Sequence, residues 1–257
     1  MTSTERPPVR FSTLKEMRLS PAHYKHALSR DWTADYLRKG TALHSYLLGG
    51  KEIVVYDGGV RRGKDWEAFK AAHSNSTILI PSEAESVAGM RWAVEGNAEA
   101  MRLLDGVKER MIRWEMNGRA CQGTPDVVHP ASVVELKTAK TTNPEWFVRD
   151  AHRLAYHGAL AWYADGLRAA KLADPQQAFI VAVESSPPYP VVCFELTRTA
   201  MEVGKRLYKL WWERLMVCEA AEHWPGYADS IVPFDSDYTD DSIVIDGNEL
   251  SLEEMGL

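Results

Sequence analysis

From Ser82 to His223 the apolar positions switch repeatedly between helical spacing and the alternation of a strand. Helical spacing fills Ser82–Leu104. Short runs rich in β-formers follow at Lys108–Glu115, Arg119–Val128 and Ser132–Leu136, separated by Asn117-Gly118 and by His129-Pro130. Asn-Gly between two such runs predicts a tight hairpin. A long helix is expected over Pro144–Leu172, with Asn143 as N-cap and Pro144 at the first helical position. Strands over Ala178–Glu184 and Pro190–Leu196 and a helix over Thr197–His223 complete the pattern. The order helix, three strands, helix, two strands, helix predicts an α/β layer architecture with a mixed sheet.

The N-terminal part reads differently. Its first ten residues are polar and proline-containing, and a flexible arm is expected there. A short helical piece follows at Phe11–Met17, and Ser20 can cap a helix opened by Pro21. A longer helix is expected from about Asp31 or Thr33 to Leu48, stopped by Gly49-Gly50. Arg61-Arg62-Gly63-Lys64 has the look of an exposed basic loop. The chain thus divides into an N-terminal arm and helical elaboration (1–81), an α/β core (82–223) and a tail (224–257).

The chemistry concentrates in Gly123-Thr-Pro-Asp126 and Val134-Glu135-Leu136-Lys137. Asp126 ends one β-like run, and Glu135 and Lys137 sit in the next. Residues two apart on a strand share a face, so Glu135 and Lys137 project together while Leu136 points the other way. Asp126 can meet Glu135 across the turn. Two converging carboxylates suit Mg²⁺, and an adjacent ammonium can stabilise charge on a phosphate. On this spacing alone an alternative stays open, in which Asp126 is a turn residue and Glu135 and Lys137 a surface pair.

Charge distribution changes the picture that net charge gives. The 257 residues sum to −6, but Trp224–Leu257 holds nine acids and no Lys or Arg, which leaves residues 1–223 at +3. A weakly basic body with an acidic tail is compatible with phosphate binding. That tail also contains Ile231-Val232, Phe234 and Ile243-Val244-Ile245, more apolar than a solvating tail requires. Three scattered cysteines, Cys121, Cys193 and Cys218, are too few for a disulfide framework, a zinc knuckle or an iron–sulfur cluster, and unligated thiols are expected. No signal peptide is visible, and the longest apolar stretches fall far short of the roughly 20 residues of a membrane span. A soluble, cytoplasmic protein is expected.

Arg119-Ala-Cys-Gln-Gly-Thr-Pro-Asp126 followed by Val-Val-Glu-Leu-Lys-Thr138 resembles the core of the PD-(D/E)XK nucleases, and more narrowly the exodeoxyribonuclease VIII type of phages and prophages. Gly40-Thr-Ala-Leu-His44 resembles that family's upstream histidine motif. Glu115 matches its acidic residue on the first hairpin strand, and Tyr156 stands where the family has a Gln-x-x-x-Tyr helix. His152 occupies the glutamine position. The resemblance implies a restriction-endonuclease-like core, a central mixed β-sheet flanked by helices. It implies Asp126, Glu135 and Lys137 as catalytic residues, with His44, Glu115, Asp126, Glu135 and the Leu136 carbonyl holding two Mg²⁺ ions, for which Mn²⁺ could substitute. Tyr156 and His152 would contact DNA, and Arg61, Arg62 and Lys64 could steer phosphate. Glu95 reads as surface. The activity implied is digestion of linear duplex DNA from its 5′ ends, leaving 3′ single strands for recombination. A ring-shaped homo-oligomer and an accompanying single-strand annealing protein come with the same resemblance. The alternatives are a structure-specific or restriction-like endonuclease and a degenerate DNA-binding relative.

Overall fold

The structure, a computed structural model, describes residues 6–29, 37–228, 230–233, 242–245 and 248–251. Within what was expected to be the flexible arm, Val9–Arg10 forms a short strand, β1, with Val9 buried. Its apolar side chain has a core to enter, which a solvated arm lacks. Helix α1 (Phe11–Leu14) runs into a 3₁₀ turn at Lys15–Arg18. Helix α2 (Pro21–Ala27) is capped by Ser20, whose side chain accepts from the His23 amide, with Pro21 in the first turn. Helix α3 (Arg38–Leu48) ends at Gly49, where φ is 89°. The expected starts of that helix at Asp31 or Thr33 lie outside the described residues.

A unit that the sequence pattern did not disclose follows. Strands β2 (Ile53–Val55) and β3 (Thr77–Leu79) pair in parallel, with helix α4 (Lys64–Ala72) between them. Three-residue strands are too short for alternation to show. Arg61 is tied down here, its guanidinium bound to the Glu83 carboxylate and to the Ile78 carbonyl. Arg62 stays exposed, and Lys64 opens α4.

The expected helix over Ser82–Leu104 is two helices, α5 (Pro81–Glu95) and α6 (Ala98–Leu104). Asn97 caps the second, accepting from the Ala100 amide at 2.9 Å. The first two expected strands are each split as well. Strand β4 (Val107–Lys108) is separated from β5 (Ile112–Met116) by Glu109, whose φ is 48°, and β6 (Arg119–Gly123) is separated from β7 (Val127–Val128) by a segment containing Pro125. Each pair divides between two sheets. One sheet has the order β1-β6-β5. The other contains β8 (Ser132–Ala139), β9 (Gln177–Glu184) and β10 (Val191–Glu195), in the order β10-β9-β8-β7-β4. The Asn117-Gly118 hairpin forms as expected, with φ of 53° and 74° at its two turn residues and Met116 opposite Arg119.

The expected helix over Pro144–Leu172 is broken into α7 (Pro144–Arg153) and α8 (Tyr156–Ala169). The break falls at Ala155, buried and left-handed at φ 59°. Neither Pro nor Gly marks it; the buried methyl of Ala155 packs in the core that also holds Trp162 and Trp211. Helix α9 (Arg198–Ala221) is capped by Thr197. The two helices α7 and α8 cross over between β8 and β9, which are parallel, while β7–β8 and β9–β10 are antiparallel.

That five-stranded sheet is mixed and has helices on both faces. On β8, Val134 and Leu136 enter one core with Leu43, Met90 and Leu103 from α3, α5 and α6; Val133 enters another with Phe147, Leu160 and Leu167 from α7 and α8. Residues from both the 1–81 and 82–223 segments thus share one core, and the compact unit extends to Trp224. Residues 225–257 form a second unit, in which Ser242–Ile245 (β11) pairs antiparallel with Asn248–Ser251 (β12). Phe234 and the side chains of Ile243-Val244-Ile245 lie outside what the structure describes. Among the described residues, no helix is long and apolar enough to cross a membrane.

Candidate active site

Register builds the site. Val127 pairs with Val134, which sets Asp126 beside Glu135 one residue further along. Alternation along β8 sends Glu135 and Lys137 to the face that α8 covers. Asp126 is buried, and its Oδ2 accepts the Leu136 amide at 2.7 Å and lies 3.6 Å from the Lys137 ammonium. Glu135, also buried, is hydrogen-bonded through Oε2 to Lys137 and lies 3.4 Å from the Asp126 amide through Oε1.

Helix α3 delivers His44 to the same point. One turn earlier, Gly40 lies against Thr138 of β8; a Cβ there would sit 3.1 Å from the Thr138 hydroxyl oxygen. The lack of a side chain lets α3 approach the strand closely enough for His44 Nε2 to reach the Leu136 carbonyl at 2.9 Å. A carbonyl only accepts, so Nε2 carries the proton and Nδ1 faces the carboxylates. Nδ1 lies 3.7 Å from Asp126 Oδ1 and 3.9 Å from Glu109 Oε1. Those separations exceed a hydrogen bond. The left-handed backbone at Glu109, with its amide bonded to the Asp126 carbonyl at 2.9 Å, swings this carboxylate into place.

The electrostatics are unbalanced in an informative way. Burial and the neighbouring Asp126 push the Glu135 carboxyl up to about 7, against the pull of Lys137. Burial opposes the charge on Lys137, but Glu135 and Asp126 outweigh it and hold the ammonium above its usual value. Burial likewise opposes charge on His44, and Glu109 and Asp126 outweigh it, so the imidazole is raised. These groups surround a place of negative potential. Among the described residues, His44, Glu109 and Asp126 are the set of three that could hold a metal ion, their ligand atoms lying within 4.8 Å of one another. One nitrogen and two carboxylate oxygens suit a hard divalent cation such as Mg²⁺, and the imidazole also suits Mn²⁺. The site opens into a cleft of about 830 Å³, lined among others by Thr41, Ser45, Thr138 and Tyr156.

Comparison with known proteins fits this geometry. A family described as a PDDEXK-like domain of unknown function (DUF3799) matches residues 10–235. The chain belongs to that PDDEXK-like family. A crystal structure of a "putative exonuclease" from Eubacterium rectale aligns with 89% of this chain and 90% of its own, at 14% identity and a TM-score of 0.64. That likeness shows the shared fold. A second solved structure, of SSO0001, aligns with 71% of this chain and 85% of its own at 12% identity, but its TM-score of 0.31 carries no argument. Among curated proteins there is no match.

Within the PDDEXK-like frame, Asp126, Glu135, Lys137, His44 and the Leu136 carbonyl come together. Two details depart from expectation. The Leu136 carbonyl and His44 are bonded to each other, and Glu135 is engaged by Lys137 instead of joining the three-donor set. Glu115 is not brought in. It lies exposed on β5 opposite Ala120, in the other sheet. Glu109 supplies the carboxylate instead, and no periodicity could have revealed it, because a left-handed residue between two strands breaks the pattern. Tyr156 lies against the site, with the Lys137 ammonium 5.6 Å from its ring centroid. The expected shared helical face of His152 and Tyr156 does not exist, because the helix breaks between them; His152 is exposed, and its ring lies tilted against His157 with centroids 4.6 Å apart. Arg61 is held by Glu83, and Glu95 pairs with Arg91 at 2.7 Å on α5. The three cysteines are unpaired. Tyr163, raised by burial and by Glu135, is a further neighbour of the site that sequence reading missed.

Proposed function

We propose that this chain is a divalent-metal-dependent deoxyribonuclease that hydrolyses phosphodiester bonds of linear duplex DNA from its ends, in the 5′ to 3′ direction, leaving 3′ single strands for recombination. The observation that carries the nuclease reading is the convergence of Asp126, Glu135 and Lys137 with His44 and Glu109 at one end of an open cleft. Family membership supports the same reading, and the Eubacterium rectale neighbour's name supports the exonuclease form. End preference, polarity and the recombination role rest on the resemblance to the exodeoxyribonuclease VIII type.

His44, Glu109 and Asp126 would hold the cation, Mg²⁺ or Mn²⁺, which supplies Lewis acidity and charge neutralisation at the phosphate. The described residues offer one such three-donor set for a cation. Lys137 keeps its proton, because two carboxylates face it, and so serves as a fixed cation toward charge that develops on the phosphate. Glu135 holds that ammonium in place, and its own elevated affinity for a proton lets it take one up near neutral pH. Tyr156 would contact the nucleic acid beside Lys137, and exposed Arg62 and Lys64 would steer phosphate.

The test is digestion of end-labelled linear duplex and of closed circular plasmid with Mg²⁺ or Mn²⁺. Release of label from the 5′ end alone, with closed circles spared, is the expected result. Cutting of closed circles moves the assignment to an endonuclease, and absence of cleavage with either metal overturns the nuclease reading.

A further inference from the structure

Helix α7 is held to the fold by Phe147, its buried residue, while Trp146, Arg149 and Arg153 are exposed. Trp146 leaves 56% of its surface in water, an unusual place for the largest apolar side chain. The Arg149 guanidinium sits 5.2 Å from its ring centroid. Seven residues on, Arg153 returns to the same side of the helix, pairing with Asp150 at 3.1 Å, and Tyr156 follows with its ring centroid 5.6 Å from the Lys137 ammonium. Arg18, from the 3₁₀ turn, donates to the Arg153 carbonyl at 2.7 Å and adds a second cation at that end. One face of α7 therefore carries Trp146 in its first turn, Arg149 against the indole, and Arg153 at its end, three residues before the Tyr156 that lies against Lys137.

We propose that Trp146 and Arg149 form a stacking platform for an unpaired strand of DNA, so that a single-stranded segment follows α7 to or from the cleft; this rests on the nuclease reading. The chemistry selects the occupant. A guanidinium answers phosphate, and an exposed indole answers the face of a base. Bases inside a duplex already stack on each other, so the indole has a partner only where the strand is unpaired. From Trp146 to Arg153 the helix rises about 10 Å, the length of about three stacked nucleotides. The platform thus engages bases a few positions away from the scissile phosphate.

The experiment measures binding in EDTA, where cleavage does not interfere, with oligothymidylate and with a blunt duplex of equal charge. W146A is expected to weaken oligothymidylate binding by about tenfold and blunt-duplex binding by less than about twofold; W146F keeps most of the affinity. Oligothymidylate should also quench tryptophan emission of the wild type more than that of W146F. Unchanged oligothymidylate affinity in a folded W146A protein overturns the platform, and so does equal weakening for both ligands. Cleavage by the wild type is scored separately. Its absence, with Trp146-dependent binding intact, overturns the nuclease reading and leaves the platform standing.

Discussion

Two carboxylates on or near α8 are treated in opposite ways. Asp165, on α8, accepts the Tyr208 hydroxyl at 2.5 Å and the Lys205 ammonium at 2.8 Å, with Arg168 at 3.1 Å. Burial opposes its charge, but the hydrogen bonds from Lys205 and Tyr208 outweigh burial and hold the carboxyl below its usual 3.8. Glu135 is the more deeply buried of the two, with 7% of its side chain exposed against 24% for Asp165, and it shares one ammonium with Asp126; its carboxyl is pushed up to about 7. The Asp165 cluster is locally satisfied and serves to tie α8 to α9. The Glu135 cluster is under-neutralised, and a cation from outside would complete it. Such unresolved electrostatics are the expected signature of a site evolved for chemistry at a cost in stability.

The two clusters should respond most differently to loss of a carboxylate charge. Asp126→Asn should reduce metal-dependent cleavage by at least about a hundredfold, because it removes a donor and the partner of Lys137 together. Melting temperature should hold or rise, since carboxylate crowding is relieved; a drop comparable to that of an Asp165 variant would erase the distinction. Asp165→Asn should do the reverse, leaving cleavage within about twofold and destabilising by about 2 kcal/mol, because buried Tyr208 loses its charged acceptor. Thermal unfolding and initial rates on the same preparations check both.

Acidity sharpens the contrast. A carboxyl raised in the folded state favours folding while protonated, so the Glu135 contribution is lost as pH rises from about 4.5 through about 7. In EDTA, the wild type should lose stability relative to Glu135→Gln across that window, and added Mg²⁺ should restore it. Asp165 has the opposite sign. Its contribution is present above 3.8 and disappears as pH falls through its lower folded value, so Asp165→Asn should flatten the acid limb. The smallest effects belong to the basic loop. Arg61→Ala should cost about 1 kcal/mol of stability through its lost pair with Glu83. Arg62→Ala and Lys64→Ala should leave stability unchanged and each lower the salt slope of DNA binding by about one, as measured by titration at several ionic strengths.

Much of this was legible from the residues. Period-two alternation placed Glu135 and Lys137 together on β8, Asn117-Gly118 marked its hairpin, and caps at Ser20 and Asn143 marked helix starts. These are local properties, set by backbone geometry within a few residues, and a sequence carries them whatever surrounds it. Packing decided the rest. The break at Ala155 has no local signal, since its left-handed backbone is held by burial against α9 and the N-terminal elements. The choice of Glu109 over Glu115 likewise depends on which sheet each strand joins, and strand partners lie far apart in the chain. Only the fold brings His44, Glu109 and Asp126 to one point, because long-range contact is what fixes distances between residues that the chain itself holds apart.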